Sequence, residues 1–425
     1  MIYGPTVLFA LGEGAVIPLI PVIASQLGAG VALAALVSSA LVVGQLCGNL
    51  PAGWAVSRIG ERWTMVIGGS AAVLASLGLV LAPNLATLTI AVFVLGFCAA
   101  VFGLARHSFM TTRIPLSFRA RALSMLGGSF RLGVFVGPFV AAALLAIFGD
   151  EHAAIWFALI CLAGVVALVT FGPDPEKEAA AALAGSDPVA ASLGATADSE
   201  AQSAAGAELI EDTGEAITGP VRTADATGVF RTMWQHRHVL ARLGTAAALL
   251  SAVRSARQVA LPLWGVSIGL DATTIALVVG ISGALDFALF YASGQVMDRF
   301  GRLWAALPAL ILMGCGFIAL AFTHDSDQAA MWYAMFAAVL GVGNGISSGI
   351  LMTLGADLAP QRDPAAFLGS WRTLTDAGGA AAPLLISAIT AIFSLALATG
   401  VIGVIGLIGA VGFLRWIPRY IPRPR

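Results

Sequence analysis

Twelve apolar runs, each about as long as a bilayer is thick, leave this chain few ways to fold. Six lie at 4–26, 34–56, 63–82, 86–110, 122–147 and 153–171. Six more lie at 241–266, 273–297, 303–322, 329–356, 366–390 and 394–414. A helix rising 1.5 Å per residue needs about 20 such residues to cross the hydrocarbon. In lipid each segment must satisfy its own backbone, and the runs lack the alternation of barrel strands, so they are expected to be helices. The first run, about 22 residues long, exceeds a signal-peptide core and is expected to remain as a span. Charged residues make up 11% of the chain and the mean hydropathy is +0.92, against about 25% charged in a soluble domain.

The two sets of six are copies. The turn Gly294-Gln295-Val296-Met297-Asp298-Arg299-Phe300-Gly301-Arg302 recurs 241 positions earlier as Gly53-Trp54-Ala55-Val56-Ser57-Arg58-Ile59-Gly60-Glu61. At the same offset Pro21 aligns with Pro262, Gly28 with Gly269 and Glu13 with Arg254; at an offset of 245, Gly96 aligns with Gly341, Pro115 with Pro360, Gly133 with Gly378, Pro138 with Pro383 and Arg131 with Asp376. Gly-x-x-x-Asp-Arg-x-Gly-Arg, once per half between two apolar runs, resembles the loop signature of the major facilitator superfamily. The resemblance covers all twelve spans and implies an all-α membrane protein: twelve transmembrane helices in two pseudo-symmetric six-helix bundles around a central cavity.

Basic residues set the orientation. Arg58, Arg62, Arg113, Arg119, Arg121, Arg299, Arg302 and Arg362 fall on the side of the termini, with Arg415, Arg419, Arg423 and Arg425 in the tail. The opposite loops hold neither Lys nor Arg. The positive-inside rule then puts both termini in the cytoplasm of a multi-pass plasma (inner) membrane protein. Trp63, Trp156, Trp264, Trp304, Trp332 and Trp416 lie near span ends, as an interfacial belt requires. Cys47, Cys98, Cys161 and Cys315 stand singly in apolar runs and read as small buried hydrophobes.

The chain divides into a six-helix bundle over 1–171, a linker over 172–238, and a second bundle with a short basic tail over 239–425. The linker is rich in Ala, Gly, Ser and Thr and carries eleven acidic residues from Asp174 to Asp225. Its middle is expected to be disordered, on the cytoplasmic side, and to serve as a tether or a docking segment. Its last part, 230–237, has the pattern of a short amphipathic helix.

Seven ionisable residues fall well inside spans: Glu13, Arg131, Arg254, Arg257, Asp286, Arg372 and Asp376. Each costs about 3 kcal/mol at mid-bilayer, about 20 kcal/mol together, so they must pair or face a wet cavity. Spans 3, 6, 9 and 12 hold none, which agrees with the outer scaffold that the resemblance implies. Glu13, Arg131, Arg254, Asp286 and Asp376 each lie about ten residues, or about 15 Å, from the terminal face, which makes one layer. The family architecture sets span 5 against span 8 and span 2 against span 11, so Arg131 is expected to pair with Asp286 and Asp376 to lie near Gln45 and Asn49. Arg372 and Asp376, four apart, can also neutralise each other. Glu13, between Gly12 and Gly14, is the foremost candidate for proton coupling or substrate contact, because a carboxyl withdrawn from water is suited to exchanging protons. Arg106 and His107, near the inner end of span 4, are expected to snorkel to the headgroups.

The resemblance also assigns gates. Gly53, Arg58, Gly60, Gly294, Asp298, Arg299, Gly301 and Arg302 form the cytoplasmic gating loops. The first copy departs from the motif at Ser57 and Glu61, so Asp298 alone can supply the acidic lock, against the start of span 5 near Arg119 and Arg121. In span 5, Gly133, Gly137 and Pro138 resemble the Gly-x-x-x-Gly-Pro core of antiporter branches, although Ala141 and Ala142 replace later glycines and the Arg expected early in span 4 of many drug exporters is absent.

These features imply a proton-coupled secondary carrier that exports amphipathic organic compounds by alternating access. The rivals are an importer or exchanger of an organic anion, favoured by four buried arginines against three acids, and a membrane sensor signalling through the acidic linker. The partners expected are the lipid bilayer, a small organic substrate and protons, with the chain acting as a monomer. Nothing implies a cofactor, a metal, a nucleic acid or an enzymatic nucleophile, and no nucleotide-binding Gly-x-x-x-x-Gly-Lys loop is present.

Overall fold

The computed structural model describes residues 2–113, 116–172, 234, 236–359 and 364–421, the side chains at 50, 111–124 and 364–366 excepted. The regular structure within them is helical, and twelve helices are long and apolar enough to cross a membrane. In the first half these are α1 (Tyr3–Gln26), α2 and α3 (31–59 and 61–80, the two arms of Val31–Val80), α4 (Leu85–Arg113), α5 (Leu116–Phe148) and α6 (Glu151–Phe171). In the second they are α7 (Arg237–Ser267), α8 (Ala272–Phe300), α9 (Arg302–Ala321), α10 (Ala329–Leu358), α11 (Pro364–Ile392) and α12 (Leu395–Tyr420). With an even number of spans both termini lie on one face, called here the terminal face; the other is the far face.

Local chemistry marks where helices bend and begin. Alpha1 passes through a 3-10 turn at Ile17–Leu19, where Pro18 and Pro21 withhold backbone donors. Asp150, Asp271 and Ser394 start α6, α8 and α12 on the far face by accepting from the backbone N–H of His152, Thr274 and Leu397. On the terminal face the two motif turns share one conformation. Gly60 and Gly301 adopt φ of 81° and 93°, a region closed to most L residues.

The halves repeat each other in packing as well as in sequence. In the first half α1 lies on α5 and α6, and the α2–α3 hairpin on α4 and α6. In the second, α7 lies on α11 and α12, α8 on α10, and α9 on α12. The repeat holds at single residues. A Cβ on Gly133 would lie 2.7 Å from the Val7 carbonyl oxygen, and one on Gly378 would strike the carbonyl of Ala248, the residue 241 positions after Val7. Likewise Gly96 abuts the carbonyl of Leu41 and Gly341 that of Ser282, again 241 positions on. Small residues let helices approach where lipid offers no hydrophobic drive to associate.

Some expectations are corrected here. Trp63, Trp156 and Trp304 are exposed at span ends, but Trp264 is wholly buried, its ring edge-on to His324 at 5.2 Å. Cys98 and Cys161 are buried as read, whereas Cys47 and Cys315 lie on the protein surface, where a span offers apolar side chains to lipid as readily as to the core. The linker reading falls almost wholly on residues outside those described.

Candidate functional site

The layer of charges at mid-span is two buried clusters and a pair. In the first half Glu13 is 6% exposed and accepts from Gln45 Nε2 at 3.3 Å, so α1 and α2 share it. Its cationic neighbour is Arg106 on α4, 1% exposed, which acts on the Glu13 carboxylate electrostatically and packs over the rings of Phe130 and Phe102 at 5.2 and 5.9 Å. This overturns the snorkelling expectation. Arg106 and the buried His107 turn inward, because a carboxylate on a neighbouring helix and two aromatic faces offer more than the headgroups.

In the second half Asp286 on α8 is a hub. Arg131 Nη1, reaching across from α5, donates to Asp286 Oδ1 at 3.4 Å. Arg257 Nη2 and Asn344 Nδ2 donate to Oδ2 at 3.2 and 2.6 Å. Arg254 joins through Asn344, its Nε donating to Oδ1 at 3.1 Å. Arg257 also donates to Ser282 Oγ at 2.8 Å, which donates onward to the Ala337 carbonyl. Arg131 lies over Phe290, 4.4 Å from the ring centroid. One carboxylate thus holds two guanidinium groups directly, from α5 and α7, and a third through Asn344, a set that breaks even in low dielectric only with good geometry and further counter-charge.

Arg372 and Asp376 form the pair along α11, Nε to Oδ2 at 3.2 Å, with Asp376 a third exposed. Gln45, one of the two residues expected near Asp376, donates to Glu13 in its own half. Five of the seven sequence candidates therefore meet across or beside the hub or along α11 through direct bonds (Arg131, Arg257, Asp286, Arg372 and Asp376), while Arg254 joins through Asn344 and Glu13 stands with Arg106. Arg106, Asn344 and Ser282 were missed. The signal for Asn344 was in the sequence: a lone amide in the small, apolar stretch Gly341–Gly345.

The named packing contacts between the halves lie level with this layer or beyond it toward the far face. Phe135 stacks on Phe287 with centroids 5.5 Å apart, and Gly280 leaves room for the Phe139 ring. Ser387 Oγ donates to the Ala32 carbonyl at 3.2 Å. A small apolar pocket between α1, α2 and α7 is lined by Ile17, Ile20, Leu41, Val42, Val259 and Pro262, among others.

At the terminal face the second motif turn forms a local network. Arg302 donates to Asp298 at 3.1 Å and to Asp357 on α10 at 2.9 Å. The acid expected to lock onto α5 is thus engaged within its own half; the side chains of Arg119 and Arg121 lie outside those described. Gly53, Gly294, Arg58 and Arg299 sit on the same turns, the two arginines over Trp54 and Phe300. In the first copy Glu61 accepts from Ser108 Oγ at 3.3 Å, and Arg62 donates to the carbonyls of Val169, Thr170 and Gly172 at the end of α6. Gly133 and Gly137 form the close α1–α5 contact, against Val7, Ala10, Leu11 and Gly14.

Two six-helix halves enclosing an ionised layer define a polytopic membrane transporter. Residues 5–383 match the family model of the Major Facilitator Superfamily, and the chain belongs to that family. No curated protein sequence matches it. Among solved structures it is similar to a POT family transporter in complex with a thioalcohol-conjugated peptide, at 13% identity and a TM-score of 0.72 over 99% of this chain and 96% of that one. It is equally similar to a POT family transporter in complex with 5-aminolevulinic acid, at 12% identity and a TM-score of 0.73 over the same shares. A mutant of a peptide transporter POT in complex with sulfate matches at 14% identity and a TM-score of 0.70, over 99% of this chain and 94% of that one. At such identities the likeness is one of fold.

Proposed function

We propose that this secondary carrier moves small organic anions, coupled to protons, between the halves. The observation that carries the reading is the charge of the layer: five guanidinium groups (Arg106, Arg131, Arg254, Arg257, Arg372) stand with three carboxylates (Glu13, Asp286, Asp376) among the described residues. An excess of buried cations is costly in low dielectric, and a substrate carboxylate or phosphate, which suits guanidinium geometry, relieves it. Glu13, buried beside Arg106, is the residue for proton coupling: when it carries a proton, the carboxylate charge that offsets Arg106 is gone and the site gains attraction for an anion. Of the molecules named for the structural neighbours, sulfate is an anion and 5-aminolevulinic acid a zwitterion that presents a carboxylate. We place the terminal face, with both termini, in the cytoplasm of a plasma membrane, on the arginine distribution, and take the chain to act as a monomer.

Export, drawn from the antiporter-like motif of α5, is the second reading for direction. Gly133 and Gly137, the glycines of the antiporter-like motif, seat α5 directly on α1, the helix that carries Glu13. Uptake into proteoliposomes of anionic and cationic organic solutes, under a proton gradient of either sign, tests both points. Anion movement that falls in the Arg254→Gln and Arg257→Gln variants is the expected result. Transport of cations with anions ignored would overturn the anionic class, and the sign of the gradient that drives it decides between uptake and export.

A further inference from the structure

We propose that Trp416 and the three arginines around it form a binding site for the phosphate headgroup of an anionic lipid, in the leaflet at the terminal face. Arg242 of α7 and Arg415 and Arg419 of α12 point their guanidinium carbons at this one indole, 4.6, 5.6 and 5.2 Å from its centroid. Arg242 also donates to the Tyr420 hydroxyl at 3.2 Å, and the turn that carries it, Leu240–Gly244, is π-helical. All three arginines are exposed, and none belongs to an ion pair among the described residues.

Helix electrostatics accounts for only part of this cluster. Cations are favoured in the last turn of α12, which suits Arg419, but Arg415 lies a turn earlier and Arg242 lies in the second turn of α7, where the helix ends offer a cation no support. Three like charges brought together from opposite ends of two helices call for an anion. The surface below identifies it. Val404, Ile408 and Val411 lie in line with Arg415 at spacings of four, three and four, and all are about half to two thirds exposed. A surface basic at the membrane boundary and apolar along the hydrocarbon fits a headgroup with its acyl chains, and free phosphate would leave the stripe uncovered.

The full chain in nanodiscs of phosphatidylcholine mixed with phosphatidylglycerol, followed by native mass spectrometry of retained lipid, tests the site. Preferential retention of phosphatidylglycerol is expected, falling about five-fold for each of Arg242, Arg415 and Arg419 changed to Gln and unchanged in Arg58→Gln at another terminal-face turn. Should the variant with all three arginines changed to Gln not fold, Arg415→Gln alone carries the test. Equal retention by wild type and variants overturns the proposal. So does displacement of the lipid by inorganic phosphate, or retention that emerges only when residues 180–220 are deleted, which would assign the arginines to the acidic linker.

Discussion

Arg131 of the first half and Asp286 of the second meet at 3.4 Å in the middle of the membrane, each side chain less than one sixth exposed. They are the one pair of opposite charges that directly joins the halves among the described ion pairs, and Asp286 holds Arg257 of its own half with its other oxygen. The carboxylate therefore ties the interface between halves to the interior of one of them. Any rearrangement that parts α5 from α8 must give Arg131 a new partner or bring water to it.

Replacing Asp286 with Ala leaves Arg131 and Arg257 buried without their shared acceptor. Breaking one side of a buried pair costs about 3–5 kcal/mol. A lowered unfolding midpoint and loss of transport are expected, with part of the stability regained when Arg131→Gln is added, because the orphaned cation is then gone. Midpoints by differential scanning fluorimetry of the single and double variants decide this.

Gly133→Leu and Gly378→Leu should fail alike, since each drives a side chain into a backbone carbonyl of the facing helix, that of Val7 or Ala248. Overpacking of this kind costs about 1–3 kcal/mol or more. Gly294→Ala, with open space around its Cβ, should be silent. Yield of monodisperse protein and thermal midpoint separate the three.

Arg62→Gln removes the cation that holds three carbonyls at the end of α6. Hydrogen bonds to a charged group contribute about 1.5–3 kcal/mol when buried, and these are partly exposed, so a loss of about 1 kcal/mol is expected. Hydrogen exchange should speed up at 168–172 while the end of α12 keeps its protection.

Asp271 caps α8 on the far face, and hydrogen bonds from Thr274 hold its carboxyl below the ordinary carboxylate value of 3.8. A depressed pKa means that the cap stabilises fully above that value and is lost as pH falls through the lower, folded one. Asp271→Ala should cost about 1 kcal/mol at neutral pH. The gap to wild type should close only in strong acid, as followed by thermal midpoints against pH.

The twelve spans and the two halves were legible in the sequence because each follows from a local pattern plus the repeat, whereas the Arg131–Asp286 pair followed from the family architecture that the resemblance implies, which sets span 5 against span 8. Run length gives the spans. The offsets of 241 and 245 bring Gly133 and Gly378 to equivalent places against Val7 and Ala248. What was not legible depends on which face of a helix a residue presents. Arg106 lies close enough to the end of α4 to reach the headgroups, and only its rotation toward Glu13 on α1 reveals that it does not. Arg62 follows a worn copy of the motif, so its role as a cap for α6, more than 100 residues on, leaves no trace in the turn itself. Trp264 carries the composition of a belt residue but is turned inward against His324.

The most direct test follows protons. With wild-type protein in vesicles loaded with a pH-sensitive dye, an imposed gradient of a transported organic anion should move protons across the membrane. Glu13→Gln should keep exchange of that anion between the two sides while abolishing the proton movement. Proton flux undiminished in Glu13→Gln, or anion transport in wild type that leaves internal pH unchanged, would contradict the account.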